Sequence, residues 1–381
     1  MISKANRLNT VKEYYFSVKL KEVRSLIQQG KPIINLGIGS PDLDPPSEVT
    51  DALKNADVHS YQSYQGIPEL RQAIGRFYNS HYGVQLDSEK EILPLMGSKE
   101  GLLHISMAFL NQGDQVLLPD PGYPTYASVT RLVQAIPVAY NLSEKNNWCP
   151  DFEELEKMDL EKVKMMWVNY PHMPTGSNGR SDLFKDLIDF GLKHNILIVN
   201  DNPYSFILNN APKSILAIPG AKEIAIELNS LSKTFNMAGW RVGMVLGNEN
   251  YLNSILQVKS NMDSGMFYGI QQGAVKALNL PKSWFEEMNK TYEKRREIVW
   301  KICDSLGFKY EKDSTGMFVW ARIPKGYASE GICDKILYEY DVFVTPGTVF
   351  GDQGEGYVRF SLCVDEEKIE EVMNRLNKMN L

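Results

Sequence analysis

Between residues 92 and 246 one pattern repeats: a short apolar run, then a turn-rich or helical stretch, then another apolar run. The runs cover 92–96, 115–118, 163–169, 196–200, 224–228 and 242–246, with helical spacing over 98–110 and 182–194. Strands that read as nearly continuous apolar runs, rather than as alternating apolar and polar residues, are buried on both faces. Such strands, separated by helices, predict an α/β fold with a mostly parallel central sheet flanked by helices.

The pattern changes beyond about residue 280. A charged, aromatic-bearing helix over 284–306 precedes strand-like runs at 316–323, 341–345 and 357–362. A last amphipathic helix from Asp365 puts Ile369, Val372, Met373 and Leu376 on one face, with acids in its first turn and bases later, as the helix dipole favours. These elements predict a smaller α+β domain. At the other end, a helix over 14–29 carries Val18, Val23, Leu26 and Ile27, stops at Gly30-Lys31-Pro32 and leads into a strand over 33–36 that can return to the smaller domain. The expected division is a large domain over 46–280 and a small one formed by 1–45 and 281–381. Within the large domain, Pro68 opens a helix that turns Leu70, Ile74 and Phe77 inward.

With 381 residues, 43% of them hydrophobic, the chain can bury a large core and a second lobe. Its net charge of −6 provides no basic footprint for nucleic acid. No Cys/His pairs stand at zinc spacing, so no metal is expected, and Cys149, Cys303, Cys333 and Cys363 are too scattered for a disulfide framework. Reduced thiols, an amino terminus without a signal-type apolar core and the lack of any long apolar run predict a cytoplasmic protein with no membrane partner. Gly37-Ile38-Gly39-Ser40-Pro41-Asp42 has the glycines of a dinucleotide loop, but Pro41 and Pro45-Pro46 prevent the helix such a loop must open.

In an open parallel sheet, ligands bind beyond the carboxyl ends of the strands. After residue 96 comes Gly97-Ser98-Lys99-Glu100-Gly101 and a helix start, whose free N–H groups suit an anion. After 118, a proline-rich loop holds Tyr123 where its ring can stack on a flat ligand. After 200, Asp201 can pair with a protonated ring nitrogen and Tyr204 can donate to a phenolic oxygen. After 228, Ser230 and Ser232 surround Lys233, with Arg241 a short way downstream. Such a group can form an imine with an aldehyde while holding a phosphate of the same molecule. Taken singly, each has a plain explanation: a solvated lysine, a packed tyrosine, a capping aspartate. Their placement at successive strand ends points to one ligand.

These motifs, Gly-Ser-Lys-Glu-Gly at 97, Pro-Asp-Pro-Gly-Tyr-Pro at 119, Asp-Asn-Pro-Tyr at 201, Ser-Leu-Ser-Lys-Thr-Phe at 230 and Tyr-Val-Arg-Phe-Ser at 357, occur in a familiar order. In them the chain resembles, over nearly its whole length, the class I/II aminotransferases of the fold-type I pyridoxal-phosphate superfamily. The resemblance leans toward the aspartate, alanine and LL-diaminopimelate aminotransferases. It implies pyridoxal 5′-phosphate as cofactor, amino-acid and 2-oxo-acid substrates, and a homodimer. Carried over by position, Lys233 is the Schiff-base lysine, Asp201 the partner of the ring nitrogen, Tyr204 the phenolate donor and Tyr123 the stacking ring. Ser98, Lys99, Ser230, Ser232 and Arg241 bind phosphate, and Tyr61 reaches that phosphate from the other subunit. Arg359 clamps the substrate carboxylate, with Gly39 close by. The implied reaction is transamination in two half-reactions. A β-lyase, decarboxylase, racemase or non-catalytic cofactor binder would use similar contacts.

One position departs. Where the family reads Asn-Pro-Thr-Gly, this chain has Met173-Pro174-Thr175-Gly176. Methionine cannot donate the amide hydrogen bond that stabilises the cofactor's anionic phenolic oxygen, which should raise the imine pKa unless Tyr204, His172 or water compensates. Replacing Met173 with asparagine is therefore expected to lower the pH at which the bound cofactor's absorbance titrates, by about one unit, the worth of one hydrogen bond to a charged group. An unchanged titration would sink this reading.

Overall fold

In the computed structural model, which describes residues 2–380, the apolar runs pair into one seven-stranded sheet. Strand β1 (Ile34–Asn35) lies outside it. The sheet consists of β2 (Ile92–Leu95), β3 (Gln115–Asp120), β4 (Ile136–Asn141), β5 (Val163–Val168), β6 (Leu197–Asp201), β7 (Ala225–Ser230) and β8 (Gly243–Gly247), in the order β2-β8-β7-β6-β5-β3-β4. Every residue of β2, β6, β7 and β8 is buried. Successive side chains serve opposite faces: Met166, Val168 and Ile198 pack in one core, Met165, Trp167 and Val199 in the other.

Two features of this sheet differ from the sequence pattern. Residues Ile136–Asn141 form β4, an edge strand that the apolar runs do not reveal, because it contains Pro137 and only one of its six residues is buried. Strand β8 runs antiparallel to both β7 and β2. Its connection from β7 holds only the short helix Leu231–Thr234 and the turn Ala238–Trp240, which is not enough for a helical crossover lying on the sheet, so the chain doubles back.

After the helix Lys282–Ser305 come β9 (Lys309–Tyr310), β10 (Phe318–Arg322), β11 (Val342–Phe343), β12 (Thr345–Pro346) and β13 (Tyr357–Ser361). An antiparallel sheet in the order β12-β13-β10-β9 packs against that helix through β10 and β9 and against the helix Ser329–Tyr340 through β12 and β13, and Glu366–Leu376 packs on both helices. The amino-terminal strand joins this part of the molecule: β1 pairs with β11, Ile34 opposite Val342. Of the apolar residues expected to bury in the helix Tyr15–Gln28, Val23 does and Leu26 is half-buried, whereas Val18 and Ile27 are exposed. Val18 faces away from the Phe16 and Val23 side, and Ile27 sits in the fraying last turn.

Two ion pairs, the second of them buried, fasten segments the sheets do not reach. Arg295 grips Asp42 with both terminal nitrogens, at 2.7 and 2.8 Å, and donates to the Leu362 carbonyl, tying the segment after β1 to the carboxy-terminal part. Lys259 and Asp263, with side chains 1% and 2% exposed, pair at 2.9 Å, and the Lys259 ammonium also donates to the Tyr64 carbonyl at 2.8 Å. Asp263 lies beside Glu100 and His104, a grouping whose ligand atoms could hold a metal ion, but the Lys259 ammonium already supplies a cation to Asp263. Removing one member of a buried pair leaves an uncompensated charge. Asp263→Ala is thus expected to destabilise the fold by about 3 kcal/mol or more in urea unfolding. The double replacement Lys259→Met/Asp263→Leu should recover most of that loss.

Candidate active site

The carboxyl ends of β2, β3, β5, β6 and β7 open into one cleft of about 490 Å³, a volume suited to a cofactor or drug-sized ligand. Ser98 starts the helix Ser98–Phe109, whose first N–H groups have no intrahelical acceptors. Beside it, the Ser230 and Ser232 hydroxyls lie 2.8 Å apart, with the Ser230 oxygen accepting from the Ser232 N–H. The Arg241 guanidinium lies against Gly97, where a Cβ would collide with it, and Gly97 has φ +93°. Only glycine serves at that position. Hydroxyls, a helix start and a guanidinium thus gather as donors that can take an anion such as a phosphate.

Lys233 is buried at the mouth of β7, and its amine donates to the Gly39 carbonyl. Burial lowers its pKa, and the nearby Arg359 and Arg241 charges push the same way, which makes the neutral, nucleophilic amine easier to reach. Asp201, at the end of β6, accepts at Oδ2 from the Tyr126 hydroxyl at 2.9 Å, whereas Oδ1 is buried with no partner. Burial raises the Asp201 carboxyl to about 7, against the lowering effect of Tyr126. An orphaned buried carboxylate oxygen suits a protonated ring nitrogen, which would return the aspartate to its charged form. Tyr204, held protonated by burial, and Tyr123 line the same cleft.

Arg359, in the middle of β13, is 4% exposed. Its Nη2 donates to the Gly37 carbonyl at 2.8 Å, its Nη1 lies 3.3 Å from the Met173 sulfur, and its Nε has no partner. The guanidinium sits 3.9 Å above the Phe318 ring. Burial lowers its pKa to about 10, so it is charged at neutral pH and ready for a carboxylate.

Gly39, Ser98, Lys99, Tyr123, Asp201, Tyr204, Ser230, Ser232, Lys233, Arg241 and Arg359 therefore all line one cleft. Tyr61 does not; it is 89% exposed. His172 is buried, bonded through Nδ1 to the Thr175 hydroxyl at 2.8 Å, and stands outside the cleft lining, so it does not take the place of the amide missing at Met173. Sequence reasoning missed Tyr126, one helical turn after Tyr123, whose ring stacks on Trp167 while its hydroxyl holds Asp201. It also missed Asn169, which donates to the Asp201 carbonyl and accepts from the Met173 N–H at 2.8 Å. Tyr14 and Phe16 enter the cleft from the amino-terminal helix, where no local signal marks them.

A carboxyl whose folded pKa exceeds its unfolded value costs stability as pH rises through the window between the two, here from ~3.9 to about 7, and the full cost persists above it. Without cofactor, Asp201→Asn is expected to stabilise the protein at pH 8, by at most about 4 kcal/mol for roughly three pKa units, and to change little at pH 4. Urea unfolding at both pH values checks this. Equal stability of the two proteins at pH 8 would count against a raised Asp201.

The family model for aminotransferase class I and II matches residues 31–376. An LL-diaminopimelate aminotransferase of Aquifex aeolicus is 37% identical, with all of both chains covered. That of Oleidesulfovibrio alaskensis is 40% identical over 98% of each. Among solved structures, apo-BacF from Bacillus subtilis superposes with a TM-score of 0.96 at 35% identity, covering 100% of this chain and 99% of that one. An aromatic aminotransferase from Pyrococcus horikoshii gives 0.87 at 32%, covering 93% and 98%. With its motifs in one cleft and these relatives matched from end to end, the chain belongs to the class I and II aminotransferases.

Proposed function

We propose that the cleft holds pyridoxal 5′-phosphate, the cofactor that membership of this family implies in general, with Lys233 as its covalent anchor and Asp201 facing its ring nitrogen. The observation that carries this reading is the pairing of a buried, deprotonation-prone amine with a buried carboxylate whose Oδ1 lacks a partner, in the cleft that also holds the phosphate cradle. When bound, the cofactor supplies an aldehyde and an electron sink. The chain does the rest. Ser98, Lys99, Ser230, Ser232 and Arg241 hold the phosphate, Tyr123 covers one ring face, and Tyr204 donates to the phenolic oxygen. Arg359 takes the substrate α-carboxylate beside Gly39, and the freed Lys233 amine receives the proton from the donor's Cα.

An amino group then passes from an L-amino acid to a 2-oxo acid, the two substrates using the cleft in turn in a ping-pong cycle. LL-Diaminopimelate, named in the relatives, is one candidate donor, and the aromatic aminotransferase neighbour suggests another kind. The cleft lies where the proposed large domain, 46–280, meets the small one, 1–45 with 281–381. Tyr61 serves the partner's site in a homodimer: it is exposed together with Tyr64, Met262 and Phe267, and Gly265 backs onto the carbonyl of Gln62. The four cysteines are free and buried, in keeping with a reducing cytoplasm. No helix among the described residues is long and apolar enough to cross a membrane.

Lys233→Ala should keep its fold, lose covalent cofactor absorbance and drop transamination at least about 10³-fold; retained turnover overturns the assignment. Mixed with Tyr61→Ala under exchange conditions, it should form hybrids with one intact site, restoring roughly a quarter of native activity.

A further inference from the structure

Glu227 lies in β7 opposite Asn200 of β6 and is fully buried. A carboxyl group in such a place is costly unless its oxygens are engaged. The Tyr78 hydroxyl, on the helix Pro68–Tyr82, donates to Oε1 at 2.8 Å, and the Asn200 amide and the Ile215 N–H donate to Oε2 at 3.1 and 3.0 Å. Every one of these neighbours offers a proton, and only an ionised carboxyl accepts at both oxygens. Burial pushes the Glu227 pKa up overall, while these donors and the Ser214 hydroxyl pull against it.

From this acceptor two directed chains of hydrogen bonds run toward the cleft. In the first, the Tyr78 oxygen accepts from the Asn229 amide at 2.8 Å, which turns the Asn229 Oδ1 to the Ser230 N–H at 2.7 Å. In the second, Asn200 gives its amide to Glu227 and so turns its own Oδ1 to the Tyr170 N–H at 3.2 Å. The two ends of an asparagine amide are alike in shape, so the partners alone choose its direction. An anion at one end and a backbone N–H at the other make that choice. Were the proton on Oε1, Tyr78 would have to receive it and pass its own to Asn229, whose turned amide would then face the Ser230 N–H donor to donor. Tyr78, Tyr170, Asn200, Asn229 and Ser230 are each at most 6% exposed, so the set is complete within one chain.

We propose that Glu227 is an ionised positioning residue for the cofactor site. It fixes the backbone of Ser230, and with it the hydroxyl that a phosphate would meet, and it fixes Tyr170, where the loop carrying Met173 begins. The proposal rests on the cleft being the cofactor site.

In Glu227→Gln the new amide faces Tyr78, reverses the first chain and sets the Asn229 amide against the Ser230 N–H. Pyridoxal 5′-phosphate titrated into the apoprotein should then bind at least about tenfold more weakly, the worth of one hydrogen bond at a charged group. Adding Asn229→Asp gives the Tyr78 hydroxyl and the Ser230 N–H an acceptor each, and most of the affinity should return. A general loss of packing would not be repaired by that second change. Native affinity in Glu227→Gln, or a loss that Asn229→Asp leaves unrepaired, overturns the proposal. Should Glu227→Gln fail to fold, Tyr78→Phe breaks the first chain while Glu227 keeps its other donors; the same loss is expected, and native affinity there overturns the role at Ser230. The charge is read without cofactor: the infrared difference spectrum of native protein minus Glu227→Gln at pH 7 should show carboxylate bands, and a protonated-carboxyl band overturns the ionised state. If the native protein itself binds no pyridoxal 5′-phosphate, the reading of the cleft fails and the positioning role with it.

Discussion

A lysine amine buried beside two guanidinium groups has to find an acceptor or give up its proton, and most of this site follows from that constraint. Lys233 reaches its position because β8 turns back antiparallel after β7, compressing a helical turn, the lysine and Arg241 into one short connection. The acceptor it finds, the Gly39 carbonyl, comes from the far end of the chain. The amine therefore joins the large sheet to the amino-terminal segment.

That amino-terminal segment is held from several sides. The Leu36 carbonyl accepts from the Ser361 N–H at 2.7 Å, and the Gly37 carbonyl accepts from Arg359 and from the Thr345 hydroxyl. Asp42 is clamped by Arg295. Arg359 is thus fixed by backbone contributed from more than 300 residues away, with Phe318 beneath it. A buried guanidinium with an unpartnered Nε, stacked on a ring, is preorganised for a planar anion.

Opposite charges are kept apart along the cleft. The donors proposed for phosphate, Arg241 and the helix start at Ser98, lie together at one part of the cleft, and the acid Asp201 stands at the end of β6, held by Tyr126 and by the Asn169 carboxamide on its carbonyl. Asn169 also fixes the start of the loop that carries Met173.

Much of this was legible in the sequence because it is local. Apolar runs buried on both faces announce the sheet, and the groups that follow each run at fixed short spacing, Ser98, Asp201 and Lys233 among them, inherit their positions from strand ends. Strand β4 escaped because an edge strand with a proline carries little of that signal. The antiparallel turn of β8 escaped because apolar content does not encode direction. Sequence by itself determined which chemical groups the sheet would present, and in what order. Only the tertiary structure decided that Arg359 is buried against Gly37, that Tyr126 holds Asp201 and that Tyr14 and Phe16 line the cleft. Those contacts join residues far apart in the chain, and burial, not spacing, selects them.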